Sequence, residues 1–236
     1  MEESEVRDQE LSPKQKDFVR IDSCTELLKK IIDHTNARKS IYPINSTFDP
    51  VHLTECPRRI MYRSSGVECC NPISYLNNLS PYKTRWISFL RCCRGLRVLD
   101  ENKIVADSEF NITGSADVVL SMDGEIYVAQ IKPVSDEEFK KVETKGAFKK
   151  DVVETIVYIW LMEIQDGFII YDNKNDGGFL LFHITPYQPI IKSVMAKCEK
   201  LVQDKVYGKL PLRPYESCVS KECKICEFLS TCWKRK

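Results

Sequence analysis

No stretch of the chain runs for the roughly 18 apolar residues that a membrane-spanning helix needs. The N-terminus, MEESEVRDQELSPKQKD, is polar and acidic where a signal peptide would be basic and then apolar. These two absences predict an intracellular protein, cytoplasmic or nuclear, that is not secreted and has no membrane partner. Charge of one sign is not in surplus either: 35 basic and 34 acidic residues leave a net charge of +1, which neither demands nor excludes a polyanionic partner. No internal repeat or low-complexity tract is visible, so a repeat array is not expected.

What remains is 236 residues, 43% of them hydrophobic, enough to bury one substantial core with a small appendage. Charge is unevenly spread along that length. Residues 1–20 carry six acids against four bases and read as a mobile charged leader, whereas 209–236 carry seven bases against three acids. A nucleic-acid surface is therefore expected toward the C-terminal end. The organisation that follows is a leader over 1–20, an α/β domain over 21–208 with its core at 103–185, and a cysteine-rich segment over 209–236.

Eleven cysteines are the anomaly, because a reducing compartment disfavours a disulfide framework and turns attention to metal or cluster ligation. Four lie in CVSKECKICEFLSTCW: Cys218, Cys223, Cys226 and Cys232. The C-x2-C pair of Cys223 and Cys226 lets two thiolates grip one centre from a tight turn, and Cys232 follows soon after. Three ligands are thus local. By spacing, the fourth is either Cys218, which would make a self-contained knuckle, or a remote residue such as Cys56 in HLTECPRRIMYR. Cys24, Cys69, Cys70, Cys92, Cys93 and Cys198 read most simply as core residues.

Periodicity places these motifs on elements. CTELLKKIIDHT (24–35) has the spacing of a short amphipathic helix, and YKTRWISFLRCCRGLRVL (82–99) of a second. KIVADSEF and GSADVVLSM read as strands, and DGE (123–125) as a hairpin turn into a third strand, IYVAQIKPV. Helical pattern follows Pro133, with acids near its start and a longer helix from about Lys149 to Ile164. GFIIYD and GFLLFHI form another strand pair, and a last helix spans about 187–205. This order predicts an α/β core on a mixed sheet flanked by helices.

Four pieces of the chain, in order, carry a family resemblance: Cys56-Pro57-Arg58 with Tyr62 after it; Gly114 to Asp117 as Gly-x-x-Asp; Glu154 and Tyr158 at the spacing of Gln-x3-Tyr; and Cys223, Cys226 and Cys232 running into WKRK. From about His52 onward the chain resembles RecB-like nucleases of the PD-(D/E)xK superfamily. More narrowly, it resembles the iron-sulfur branch that includes AddB-type recombination nucleases and CRISPR-adaptation-associated exonucleases. The resemblance implies a restriction-endonuclease-like fold closed by a four-cysteine cluster, with Cys56, Cys223, Cys226 and Cys232 holding 4Fe-4S, or Zn2+ as the alternative.

The resemblance also implies an active site using Mg2+ or Mn2+. Phosphodiester hydrolysis needs a cation to polarise the phosphoryl oxygen and lower the pKa of the attacking water, and a positive charge to offset the developing one. Asp117 would be the metal ligand, with the Ile131 carbonyl completing the shell and Lys132 orienting water or offsetting charge. Period-two alternation puts Gln130 and Lys132 on one strand face. Arg58, Arg59, Lys234 and Arg235 are the candidate DNA contacts, and Tyr62, Arg63 and Trp233 offer footing for stacking on a single strand. The implied activity is DNA hydrolysis, with exonuclease action on single-stranded ends by analogy.

Two departures from the family pattern bear on activity. The carboxylate expected before x-Lys is Gln130, and the glutamine expected on the helix is Glu154, which together read as a reciprocal exchange that keeps the site's charge. The histidine expected upstream of the aspartate is missing, since only His34, His52 and His183 exist. RGLRVLDE offers Arg97 in its place, and Glu109 is a further replacement ligand. Two competing readings are an inactive nuclease fold that binds DNA as a subunit of a recombination or replication complex, and a zinc-stabilised interaction protein.

Overall fold

The computed structural model describes residues 47–67 and 80–233. The leader, the helix expected over 24–35, Cys24, Cys69, Cys70, His34, Lys234 and Arg235 lie outside the described residues. Five strands form one mixed sheet in chain order: β1 (Arg97–Asp107), β2 (Ile112–Met122), β3 (Glu125–Val134), β4 (Asp166–Asn173) and β5 (Phe179–Ile184). Every neighbouring pair is antiparallel except β3 with β4. A parallel pair needs a long crossover, and α3 (Asp136–Lys145) and α4 (Lys149–Leu161) supply it. The other described helices are α1 (Pro57–Ser64), α2 (Ser80–Cys92), α5 (Gln188–Val206) and the short α6 (Lys221–Lys224) and α7 (Leu229–Trp233). No described helix is long and apolar enough to cross a membrane.

Local chemistry accounts for the boundaries. Asp123 and Gly124 both take positive φ, 49° and 109°, as a two-residue turn of the twist-compatible type requires, and Met122 pairs with Glu125 across it. Ser135 caps α3 by accepting from the Glu138 N–H while Glu138 reaches back to the Ser135 N–H, and Asp136, Glu137 and Glu138 complement the helix dipole. The helix expected over 82–99 ends earlier, at Cys92, and β1 begins at Arg97 rather than near residue 103. Leu96 and Val98 pack into the same apolar cluster as Trp86 and Leu90 of α2, so the apolar spacing continues while the backbone changes from helix to strand.

The sheet is covered on both faces, so that consecutive residues, pointing to opposite faces, are buried along most of β2, β3 and β4. Trp86, Ile87 and Leu90 of α2 cover one face over Val118, Leu120, Ala129, Ile131, Phe168 and Ile170. Val152, Ile156 and Ile159 of α4 cover the other over Val128, Ile169 and Tyr171. The far side of α4, Val153 and Val157, packs in turn on Ile60 and Met61 of α1 and on Val194, Cys198 and Leu201 of α5. A helix enclosed on all sides is apolar all round. The polar residues that α4 nevertheless buries, Asp151, Glu154 and Thr155, are therefore each held by a partner.

The C-terminal segment folds back onto α1. Arg59 donates to Glu227 (2.6 Å), Arg63 pairs with both Glu227 and Glu55, and the rings of Phe228 and Tyr62 lie 5.4 Å apart. Arg58 Nε donates to the Pro211 carbonyl at 2.6 Å. Side-chain contacts alone thus bring the cysteine-rich end of the chain against the segment that follows Cys56.

Candidate active site

The β2–β3 ladder runs from Met122↔Glu125 only as far as Val118↔Ala129. One residue beyond, Asp117 Oδ2 accepts the Ile131 N–H at 2.8 Å, so a side-chain carboxylate stands where a strand carbonyl would continue the pairing. In an extended strand the N–H and C=O of one residue project from the same edge, so the Ile131 carbonyl faces the Asp117 side as well. Asp117 is 4% exposed. Its other oxygen, Oδ1, accepts from Lys83 of α2, a residue that the sequence reading missed.

Gln130 and Lys132 share one face of β3, as alternation predicts, and that face meets α4. Lys132 Nζ donates to Glu154 Oε2 at 2.6 Å. With its amide nitrogen toward the helix, Gln130 donates to Glu154 Oε1 (3.3 Å) and its oxygen accepts from the Asp117 N–H (3.2 Å). Gln130 and Glu154, related in sequence only by an apparent exchange, are direct neighbours. A carboxylate at 130 would face the Glu154 carboxylate at hydrogen-bond distance, so the amide is what lets Glu154 sit there without like-charge repulsion.

Burial pushes the Glu154 carboxyl up, against the pull of Lys132, and the nearby Asp151 and Asp117 push it further the same way. Burial alone would lower Lys132, but Glu154, Asp151 and Asp117 outweigh it and hold the ammonium above its ordinary value. Asp151, a second residue missed from sequence, is buried in the first turn of α4 and accepts from Tyr171 Oη at 2.6 Å. The site therefore gathers three carboxylates and two ammonium groups from β2, β3, α4 and α2.

Tyr158, one turn after Glu154, is fully buried. Burial, followed by Asp49, Glu154 and Asp117, drives its phenol pKa up, so it stays protonated, while the Ser115 N–H donates to its oxygen. It also explains the glycine of Gly-x-x-Asp: a Cβ at Gly114 would lie 2.5 Å from Pro50 Cδ and 2.6 Å from Tyr158 Oη. Gly114→Ala is expected to destabilise the protein by about 1–3 kcal/mol, the range for overpacking a filled interior, and Tyr158→Phe should recover part of that loss by removing the hydroxyl. Urea denaturation of the two variants and the pair checks it.

Two expected site residues are placed elsewhere. Glu109 lies exposed in the β1–β2 turn rather than on a strand, and Asp117 is five residues into β2, about 16 Å away along the strand at its usual rise, so Glu109 cannot reach the site. Arg97, expected on a helix in place of the missing histidine, opens β1 and pairs opposite Ser121. Lys83, from α2, is the upstream residue that contacts Asp117. The apolar spacing of YKTRWISFLRCCRGLRVL marks a helix but gives no signal that singles out Lys83.

Cys56, Cys223, Cys226 and Cys232 all line one cavity of about 180 Å³, together with Arg58, Arg59, Tyr62, Tyr215 and Trp233. Cys218 is exposed and does not line it, so the remote cysteine rather than the local one stands with the C-terminal trio. None of the four is in a disulfide. Among the described residues, no three His, Cys, Asp or Glu side chains converge on a point as a single bound ion would need. Cys198 is a core residue as expected, its thiol pushed up to about 12 by burial, whereas Cys92 is exposed. Arg58 and Arg59, expected to contact DNA, are engaged within the chain: Arg58 with Pro211 and Cys232 Sγ (3.9 Å), Arg59 with Glu227 and Glu55.

No family model and no curated protein sequence matches the chain. Solved structures do. The crystal structure of SSO0001 superposes with a TM-score of 0.52 at 18% identity, over 80% of this chain and 86% of that one. The alkaline exonuclease LHK-Exo from Laribacter hongkongensis superposes with a TM-score of 0.54 at 11% identity, over 70% of this chain and 90% of that one, and its complex with dAMP gives 0.53 over the same shares. At these identities the likeness is one of fold: this chain has a five-stranded mixed α/β sheet flanked by helices, arranged as in an alkaline exonuclease.

Proposed function

We propose that the chain is a metal-dependent deoxyribonuclease that hydrolyses DNA phosphodiester bonds, acting as an exonuclease on single-stranded ends in recombination, repair or replication. The observation that carries the reading is the gathering of Asp117, Gln130, Lys132 and Glu154 where the β2–β3 ladder opens. The fold shared with an alkaline exonuclease, one whose structure is also known with a nucleotide, supports it.

The donor set fits Mg2+ or Mn2+: two carboxylates and a backbone carbonyl are hard oxygen ligands, and Mg2+ usually takes one or two carboxylates, leaving positions for water and phosphate. Asp117, Glu154 and the Ile131 carbonyl would hold the ion, which supplies Lewis acidity and an activated water. Gln130 keeps Glu154 aimed into the site, and Lys132 stays charged to offset the negative charge that builds on the phosphate. Tyr158 walls the site beneath Gly114.

If the carboxylate has moved from strand to helix, Glu154→Gln should lower cleavage by about 100-fold or more, on the scale of losing one electrostatic contact at the transition state. Gln130→Glu in that background should return part of the activity, because the acid and amide then simply trade places. Cleavage of end-labelled DNA by the single variants and the double variant checks this, and equal activity of Glu154→Gln and wild type would remove Glu154 from the site.

The cysteine cavity supports a second cofactor. Its volume of about 180 Å³ is some six times the share of one water molecule in the liquid, so it has room for a 4Fe-4S cluster, and four thiols of which three come from C-x2-C-x5-C match the ligand chemistry. Such a cluster would join α1 to the C-terminal segment and serve the fold rather than the hydrolysis. DNA with free ends is the proposed partner, alongside the proteins of a recombination or replication complex.

A further inference from the structure

Lys83 is a cation at this site that the proposed chemistry leaves unused, and its position is specific. The two acids proposed as metal ligands are each paired with a lysine: Glu154 with Lys132, and Asp117 with Lys83. The two lysines are held differently. Lys132 is 17% exposed, sits on the central strand β3 and has Asp151 and Asp117 around it as well as Glu154. Lys83 is 30% exposed and comes from α2, outside the sheet. The core residues Trp86, Ile87 and Leu90 anchor that helix, and the ammonium of Lys83 reaches Asp117 on a four-carbon stem with several rotatable bonds. The oxygen that Lys83 covers is Oδ1, and the other oxygen, Oδ2, is occupied by the Ile131 N–H. Of the two Asp117 oxygens, the one not tied to the sheet backbone is thus the one that carries the ammonium.

We propose that Lys83 is a tethered cation that blocks the metal-binding oxygen of Asp117 until a DNA phosphate draws the ammonium away, so that metal and DNA bind cooperatively. This rests on the nuclease reading and deepens it. A divalent cation on Asp117 would stand beside the ammonium, and like charges repel, so metal binding in the absence of DNA works against the Lys83–Asp117 pair. A phosphate at the site gives the displaced ammonium a new anion. By linkage, whatever factor DNA adds to metal affinity, the metal adds to DNA affinity. The device would keep the protein poorly loaded with metal away from its substrate.

The test is calorimetric titration of Mn2+ into the full chain, with and without a saturating single-stranded oligonucleotide whose phosphorothioate linkages resist cleavage. For wild type, Mn2+ should bind at least about tenfold more tightly in the presence of the oligonucleotide, a coupling within the usual allosteric range. Lys83→Met should bind Mn2+ tightly without the oligonucleotide and gain little from it, while Lys83→Arg should keep the wild-type coupling. Equal Mn2+ affinity for wild type and Lys83→Met overturns the gate and leaves the nuclease reading standing. Absence of Mn2+ binding in both, with and without DNA, overturns both. Lys83→Met leaves the buried Asp117 carboxylate without its ion pair, so thermal unfolding of each variant is followed alongside, and a variant that loses its cooperative transition is replaced by Lys83→Gln.

Discussion

Asp117→Asn is expected to abolish measurable DNA cleavage, a loss of about a thousandfold or more, which corresponds to about 4 kcal/mol of transition-state stabilisation. The asparagine keeps the shape of the side chain, and its oxygen can still accept the Ile131 N–H that Asp117 Oδ2 holds at 2.8 Å. The strand opening should therefore survive, with an unfolding midpoint near that of wild type. What the substitution removes is the charge, and with it both the attraction for a divalent cation and the hold on Lys83. Loss of cleavage with an unchanged midpoint would assign Asp117 to the chemistry. Full cleavage by Asp117→Asn would mean that the active site lies elsewhere, or that cleavage came from a contaminant.

Cys223→Ser combined with Cys226→Ser should have the largest effect on stability. A cluster held by Cys56 and the C-terminal trio would tie together residues more than 160 positions apart, and the chain-entropy model gives about 5 kcal/mol for cross-links closing loops of that order. For a protein of this size that is about 10–15 °C in the unfolding midpoint. The drop should stop short of unfolding at room temperature, because the Arg59 and Arg63 pairs with Glu227 and the Tyr62–Phe228 contact anchor the same segment without a cluster. Anaerobically purified wild type should be brown and contain about four irons per chain, and the double variant should be colourless. A colourless wild type with stoichiometric zinc would replace the iron-sulfur assignment, and an unchanged midpoint in the variant would end the closure argument.

Much of the fold was legible because its signals are local. The Asp-Gly turn at 123–124, the acids at the start of α3 and the period-two placement of Gln130 and Lys132 on β3 are each read without reference to the rest. The reading failed where one apolar pattern served two geometries: Leu96 and Val98 face the same cluster as Trp86 and Leu90, so the end of α2 and the start of β1 were fused. The site shows the same division. Asp117, Gln130, Lys132, Glu154 and Tyr158 lie in three short motifs on β2, β3 and α4; spacing puts Gln130 and Lys132 on one face, and the family resemblance implied the other three. Lys83 and Asp151 join them only through tertiary contact, and nothing in SPYKTRW or KKDVVET separates them from solvated helix charges. Glu109 shows the converse error, an acid near Asp117 in sequence but separated from it by half a strand.

The cysteines illustrate how a spacing argument ends and packing begins. Spacing left Cys218 and Cys56 both open as the fourth ligand. The return of the C-terminal segment onto α1, through arginines first read as DNA contacts, turns Cys56 toward the trio and leaves Cys218 outside. Arg58 and Arg59, expected as DNA contacts, are held within the chain beside that cavity.

The central claim is metal-dependent hydrolysis at the opening of β2 and β3, and the most direct measurement is a time course of wild-type protein on 5′- and 3′-end-labelled single-stranded DNA, with Mn2+ and with EDTA. The account predicts labelled products that accumulate with Mn2+ and are absent with EDTA, with mononucleotides released from at least one end. Intact DNA in the presence of Mn2+, from protein that carries its cluster and binds the same DNA, would contradict it and leave an inactive nuclease fold that binds DNA.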